Sequence, residues 1–296
     1  MILIDCLKTA TLASQKGRFY KFICNPRKFI DTECLKKNGV VRLINTKTFF
    51  NRTMRVVLPE PISVRIWRYG IFESDVAYYL LSSLRSGDTF IDIGGHFGFF
   101  SMLGRELVGP TGTVVTFEPM PKTREVLIHN LEKNAAPAKQ HIVPAAAGAK
   151  KGRINFHDFG LAGSAFSTSG IVRNQSYKSI GTVDVDVFRL DDVTDDLGLK
   201  SCKLLKIDAE NAEMEVVKGS AKMISALKPN IILETGDDED GKHLSRPVIE
   251  LLLSIGYQPF EFKDWTLSPH QLTEVYGYQN LLLVHKEREH EISLLT

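Results

Sequence analysis

Thr89-Phe-Ile-Asp92-Ile-Gly94-Gly95-His96-Phe-Gly98-Phe-Phe-Ser101 is the stretch that decides how this chain is read. Thr89 to Ile93 is short, β-branched and apolar, the signature of a buried strand. Three glycines follow within five residues, and a helical spacing of Phe99, Met102, Leu103 and Leu107 then runs to about Val108. A strand that turns through glycines into a helix brings bare backbone and a positive helix end close to a ligand.

A dinucleotide site places a pyrophosphate on that helix end and uses Gly-x-Gly-x-x-Gly to do so. Here Asp92 holds the place of the first glycine, and its charge would repel a pyrophosphate. The same carboxylate suits a ligand that carries an ammonium group. S-adenosylmethionine (SAM) has an ammonium, a carboxylate and a sulfonium. A second apolar strand, Thr113 to Phe117, ends in Glu118. An acid at the tip of the second strand is where such folds bind ribose hydroxyls. The pair favours SAM over a dinucleotide as the expected cofactor.

Strands and helices alternate on either side of this unit, which predicts a mostly parallel sheet with helices on both faces. After Pro119 and Pro121 a helix runs to about Asn134, followed by a strand over His141 to Pro144. Ala145-Ala146-Ala147-Gly148 comes next; its small side chains suit either a flat adenine ring or a tight packing contact. Arg153 to Phe156 and Thr182 to Val187 alternate apolar and polar residues as half-exposed strands do. Between them, Gly160 to Gly170 reads as a mobile covering loop that contains Ser164. The fourth core strand, Lys203 to Ile207, leads into Asp208-Ala-Glu210; the fifth, Asn230 to Leu233, ends in Glu234. Strands are also expected at Tyr257 to Phe262 and Asn280 to Val284. Ligands of open α/β sheets bind outside the carboxyl ends of the strands, where these acids stand.

Residues 1–55 are expected to form a mostly helical, basic extension, and residues 56–296 the main domain. Residues 1–60 carry twelve Lys or Arg against four Asp or Glu, while the whole chain has a net charge of only +2. This asymmetry suits at most a peripheral contact with an anionic membrane surface, or a solvated extension. From Val40 to Trp67 the pattern is strand-like, with Arg55 to Leu58 and Ser63 to Trp67 as the apolar runs, and a hairpin is expected. Cys6, Cys24, Cys34 and Cys202 have no paired spacing and are expected to be reduced thiols in a cytoplasmic protein. Asp5 and Lys8 interrupt the first apolar run, so no secretory leader is expected.

Several of these motifs, in this order, resemble the FkbM family of SAM-dependent methyltransferases. They are Tyr69-Gly-Ile-Phe-Glu73, Asp92-x-Gly94-Gly-His-Phe-Gly98, Phe117-Glu118-Pro119, Leu190-Asp-Asp192 and Lys206-Ile-Asp208-Ala-Glu210. The resemblance runs from about Val56 to Val284. It implies a class I methyltransferase sheet of seven strands with the last antiparallel, a small N-terminal helical and β extension, and a β insertion before the fourth core strand. It also implies O-methylation of sugars or related natural products. Asn211 stands where the family usually has glycine, and Gly95-His96 replaces a commoner Ala-Asn or Ala-His pair.

On this reading Glu73, Asp92, Gly94, Gly95, His96, Gly98, Glu118, Pro119 and Ala146 bind the cofactor. Asp208 is the expected general base or acceptor-orienting group, with Glu210 and Glu234 as alternatives, and Ser164 is a substrate-site candidate. Clustered carboxylates also suit a divalent metal. Glu234-Thr235 stands where some metal-dependent O-methyltransferases carry Asp-Asn, so no metal is expected. The expected partner is a small-molecule or glycan hydroxyl. A base-directed N-methyltransferase would be expected to carry Asn/Asp-Pro-Pro-Tyr/Phe after the fourth strand, where this chain has Asp-Ala-Glu-Asn; this weighs against a nucleic-acid acceptor. A non-catalytic SAM-binding module is the remaining alternative.

Overall fold

The computed structural model describes residues 2–16, 23, 25–134, 138–166, 179–237, 244–263 and 265–292. Two helices come first, α1 (Ile2–Gln15) and α2 (Pro26–Lys37), then an antiparallel hairpin of β1 (Arg42–Lys47) and β2 (Thr53–Leu58). Helices α3 (Pro61–Tyr69) and α4 (Ser74–Ser83) lead into β3 (Thr89–Ile93), α5 (Phe99–Val108), β4 (Thr113–Phe117), α6 (Pro121–Lys133) and β5 (Lys139–Val143). A separate small sheet holds β6 (Ala145–Ala147), β7 (Gly152–Asp158) and β8 (Gly181–Phe188). The chain then gives α7 (Leu190–Asp196), β9 (Leu204–Ile207), α8 (Glu213–Gly219), α9 (Ala221–Leu227) and β10 (Asn230–Thr235). Next come α10 (Ser245–Ser254), β11 (Tyr257–Lys263), β12 (Thr266–Pro269) and β13 (Gln279–His285), followed by a 3₁₀ helix over Lys286–Glu291.

The main sheet runs in the order β12-β11-β13-β10-β9-β3-β4-β5. The strands from β10 to β5 are parallel, and β13 inserts antiparallel between β10 and β11. These are the seven expected strands with the last antiparallel, plus β12, a short edge strand paired only with β11. The expected β insertion is the small sheet. Of the expected covering loop, Leu161–Phe166 forms a 3₁₀ helix, and residues 167–170 lie outside the described residues.

One correction concerns Ser63 to Trp67, expected as a strand and found inside α3. Its alternation loses to stronger end signals. Buried Glu60 caps the helix, accepting from the amides of Ile62 at 2.8 Å and Ser63 at 2.6 Å. Pro61 opens the first turn, where its missing N–H costs nothing, and Gly70 closes the last with φ +73°.

Side chains alternate across each strand, so every second residue faces the same layer. One face of the sheet packs Val114, Phe90, Leu204, Ile232 and Leu282 into the larger core. Its neighbours by register on the other face, among them Ile91, Leu205, Ile231 and Leu281, fill the second core. On the first face the pattern changes toward the carboxyl ends of the parallel strands. Thr116, Asp92 and Lys206 stand side by side in register, and Asp208 and Glu234 follow one step further on. An apolar layer thus becomes a charged one where a ligand would meet it. Leu7 of α1 is buried in the same core as Val76 and Tyr79 of α4. Among the described residues no helix is long and apolar enough to cross a membrane.

Candidate active site

Asp92 is 1% exposed at the end of β3. Its Oδ2 accepts a hydrogen bond from Ser101 Oγ at 2.5 Å, and Ser101 in turn contacts Thr116 Oγ1 at 2.7 Å. Asp92 Oδ1 is buried with no protein donor. Burial pushes the Asp92 carboxyl up, and the Lys206 ammonium partly opposes this.

In the turn that follows, Gly94 and Gly95 both donate to Phe117 O, at 3.1 and 2.9 Å, and Gly98 donates to Gly95 O at 2.8 Å. The His96 amide donates to Glu118 Oε2 at 2.9 Å. Four amides of the turn are therefore engaged within the protein, which removes the donors a pyrophosphate would need. Gly94 has φ +79°, and a Cβ there would lie 2.0 Å from Asp208 O. Only a bare backbone lets β3 and β9 end so close together.

Glu118 is 5% exposed, and its Oε1 accepts from the Met120 amide at 2.9 Å. Burial pushes its carboxyl up to about 8. Beside it, the carbonyls of Glu118 and Pro119 both accept from Arg124 Nη1 at 2.8 Å. The His96 ring meets Ser164 Oγ at 2.7 Å, so the 3₁₀ helix sits directly over the glycine turn. Burial holds that imidazole down at about 3, hence neutral.

Lys206 is 1% exposed, with Nζ 2.6 Å from Asp208 Oδ2 and 5.3 Å from the centre of the Phe100 ring. Burial disfavours its charge, but Asp208, Asp92 and Glu73 outweigh burial and keep it protonated. Burial likewise pushes Asp208 up, and Lys206 overcomes this to hold Asp208 below the usual carboxylate range. Glu234 moves the other way: burial first, then the charges of Asp208 and Glu210, push it well up. Asp208 and Glu234 are hydrogen-bonding neighbours whose carboxyls are pushed in opposite directions. Glu73, on the segment ahead of α4, is bonded to Tyr278 through one oxygen, while its Oε2 is buried without a partner. Burial pushes Glu73 up to about 7 against the pull of Lys206.

Backbone strain is concentrated here. Glu73, His96, Glu210 and Asn211 all take positive φ, at 39°, 47°, 48° and 82°. Left-handed non-glycine residues are costly and cluster at functional sites. The turn after β9 is braced by Glu213 Oε1, which accepts from the amides of Ala209 and Asn211 at 3.1 and 3.2 Å. Asn211 thus takes the conformation that glycine would take in its place.

The residues singled out in the sequence fall into three groups. Glu73, Asp92, Gly94, His96, Asp208 and Glu234 surround Lys206 and the glycine turn, and Ser164 joins them through His96. Glu118, Gly95, Gly98 and Pro119 form the turn's second wall, and Glu210 acts on Glu234 from the next loop. Ala146 instead packs with Met120, Phe156 and Val185. Gly148 serves packing, since a Cβ on Gly219 would lie 2.0 Å from its carbonyl oxygen. In the sequence Lys206 stands only as part of a motif, and no role is read there for Tyr278, Ser101 or Phe100. Among the described residues no group of three His, Cys, Asp or Glu is placed to hold a metal ion.

The site fits SAM on its own terms: two buried carboxylate oxygens, of Asp92 and Glu73, lack donors beside the glycine turn. This sheet order and this site define a class I SAM-dependent methyltransferase. The chain belongs to the FkbM family, whose methyltransferase domain matches residues 92–259. It is 28% identical over 199 residues to methyltransferase sdnD of Sordaria araneosa, covering 59% of this chain and 75% of that one. It is 27% identical over 158 residues to the 2-O-methyltransferase NoeI of Sinorhizobium fredii, covering 49% and 63%. The structure of methyltransferase FkbM from Methylobacillus flagellatus aligns with a TM-score of 0.43 at 15% identity, over 76% of this chain and 56% of that one.

Proposed function

We propose that this methyltransferase modifies oxygen, on a hydroxyl of a sugar, glycan or related natural product. The observation that carries the reading is the buried Lys206–Asp208 pair, 2.6 Å apart at the carboxyl end of β9, with Glu234 at the end of the adjacent strand. An alcohol must lose its proton as the new bond forms, and a positioned base contributes about 10²–10⁴-fold. Asp208 is held anionic by Lys206 and is the group that accepts this proton. Glu234, its neighbour on the adjacent strand, fixes the orientation of the Asp208 carboxylate. The charge of Glu210 pushes Glu234 up further.

When bound, SAM supplies a sulfonium methyl open to in-line displacement. Asp92 and Glu73, each with a buried oxygen lacking a donor, would hold its ammonium, and Glu118 its ribose. Gly94, Gly95 and Gly98 let the backbone turn tightly beside the methionine end, while His96 and Pro119 would complete the cofactor wall. Ser164, bonded to His96, covers the turn from the acceptor side and excludes water. Alignment of the two reactants at this site is worth several kcal/mol as effective concentration. One similar protein is a 2-O-methyltransferase, which supports oxygen as the acceptor. The loop Asp208-Ala-Glu-Asn211 lacks the prolines expected of an amino-group cradle, which speaks against nitrogen. Free Cys6, Cys34 and Cys202 support a cytoplasmic setting.

The test is an acceptor screen with radiolabelled SAM against glycans, polyketide-type alcohols and RNA. Label on a hydroxyl of the first two is expected. Label on RNA bases instead, or SAM binding with no transfer to anything, contradicts the reading.

A further inference from the structure

A second cavity, of about 300 Å³, opens beside the reaction centre. Ser14 of α1, Arg65 of α3, Phe72, Glu73 and Asp75 ahead of and within α4, and Tyr278 and Asn280 on the far side line it. It touches the site already described at two points. Phe72 also lines the narrower cavity bounded by Gly94, His96, Lys206 and Asp208. Glu73, bonded to Tyr278, is the wall between the outer cavity and the Lys206–Asp208 pair.

Its size is at the low end of small-molecule sites, about 300–1,000 Å³, enough for one ring-sized fragment. Its chemistry is mixed in a particular way. Phe72 and Tyr278 offer flat faces, and Arg65 lies over the Phe72 ring, 6.0 Å from its centre. Asp75 is hydrogen-bonded to Asn280 and feels the charge of Arg65. Donors and acceptors therefore converge in pairs, and the one cation is balanced by a carboxylate. A hydroxyl both donates and accepts, so a ring carrying several hydroxyls can pair with such a lining. An anionic ligand would face Glu73 and Asp75.

We propose that this outer cavity is the acceptor subsite and takes one uncharged pyranose ring, with the hydroxyl to be methylated reaching past Glu73 to Asp208. The inference rests on the hydroxyl-acceptor reading above. Every residue named as lining the outer cavity lies outside residues 92–259, the span of the family domain. Ser14 of α1 and Arg65 of α3 thereby set acceptor choice.

The experiment is ligand-observed NMR of SAM-loaded protein with neutral methyl pyranosides of several configurations and with their hexuronates. It compares wild type with Ser14→Trp, which fills the cavity, and Arg65→Ala, which removes its cation. SAM affinity, measured calorimetrically, reports folding and should stay within about twofold in both variants. At least one neutral pyranoside should bind wild type, and each variant should weaken it by about tenfold or more, as loss of a charged hydrogen-bonding partner does. Equal binding by both variants overturns the subsite, as does tighter binding of a hexuronate than of its neutral counterpart. Absence of any pyranoside binding overturns it too. Labelled methyl still passing to a hydroxyl in those cases would leave the hydroxyl reading standing, and its failure to reach any hydroxyl would remove both.

Discussion

Lys206 Nζ lies 2.6 Å from Asp208 Oδ2, two residues along the same chain and on the same face of the sheet. This one buried cation also feels Asp92 and Glu73. Carboxylates from three separate segments thus converge on a single ammonium, and its removal would leave several of them buried without compensation. Breaking a buried pair by deleting one partner costs about 3–5 kcal/mol. Lys206→Met, which keeps most of the volume, should therefore lose that much unfolding free energy in urea denaturation. A variant as stable as wild type would show that the pair does not hold the site together.

The raised carboxyls give stability a definite pH dependence. Burial lifts Glu60 and Glu73 to about 7 and Glu118 to about 8, from 4.5 in the unfolded chain. An acid raised in the folded state stabilises most below its unfolded value, and this is lost as pH climbs through the folded value. His96, lowered to about 3 from 6.5, has the opposite slope, but only below 6.5. From pH 6.5 to about 8, then, the cofactor-free protein should lose thermal stability, and Glu118→Gln should flatten the decline. A melting temperature that rises over this window in wild type would contradict the assigned burial.

Cofactor binding should be sensitive to two small changes in the turn. Asp92→Ala removes the carboxylate ahead of the glycines and should abolish SAM binding in calorimetry. Gly94→Ala places a methyl group 2.0 Å from Asp208 O at φ +79° and should do the same. Normal SAM affinity in either variant would remove that residue from the site.

Much of this arrangement is legible in the chain because it is local. The strand, the acid and the glycine turn lie within thirteen residues, and period-2 spacing places Lys206 and Asp208 on one face. Glu118 follows from the strand next in sequence, which pairs with the first in register. Ser63 to Trp67 misleads because helix caps at Glu60, Pro61 and Gly70 outrank a short alternation. Tyr278 is illegible for another reason: it meets Glu73 across 205 residues, through the antiparallel insertion of β13. The opposite shifts of the Asp208 and Glu234 carboxyls are likewise products of burial and register, which no spacing encodes.

Asp208 as the base is tested most directly by Asp208→Asn, assayed with labelled SAM and an acceptor from the screen. SAM affinity should stay within a few-fold, while turnover falls by ~10²-fold or more, the contribution of a positioned base. Turnover at the wild-type rate with SAM affinity intact would contradict the account.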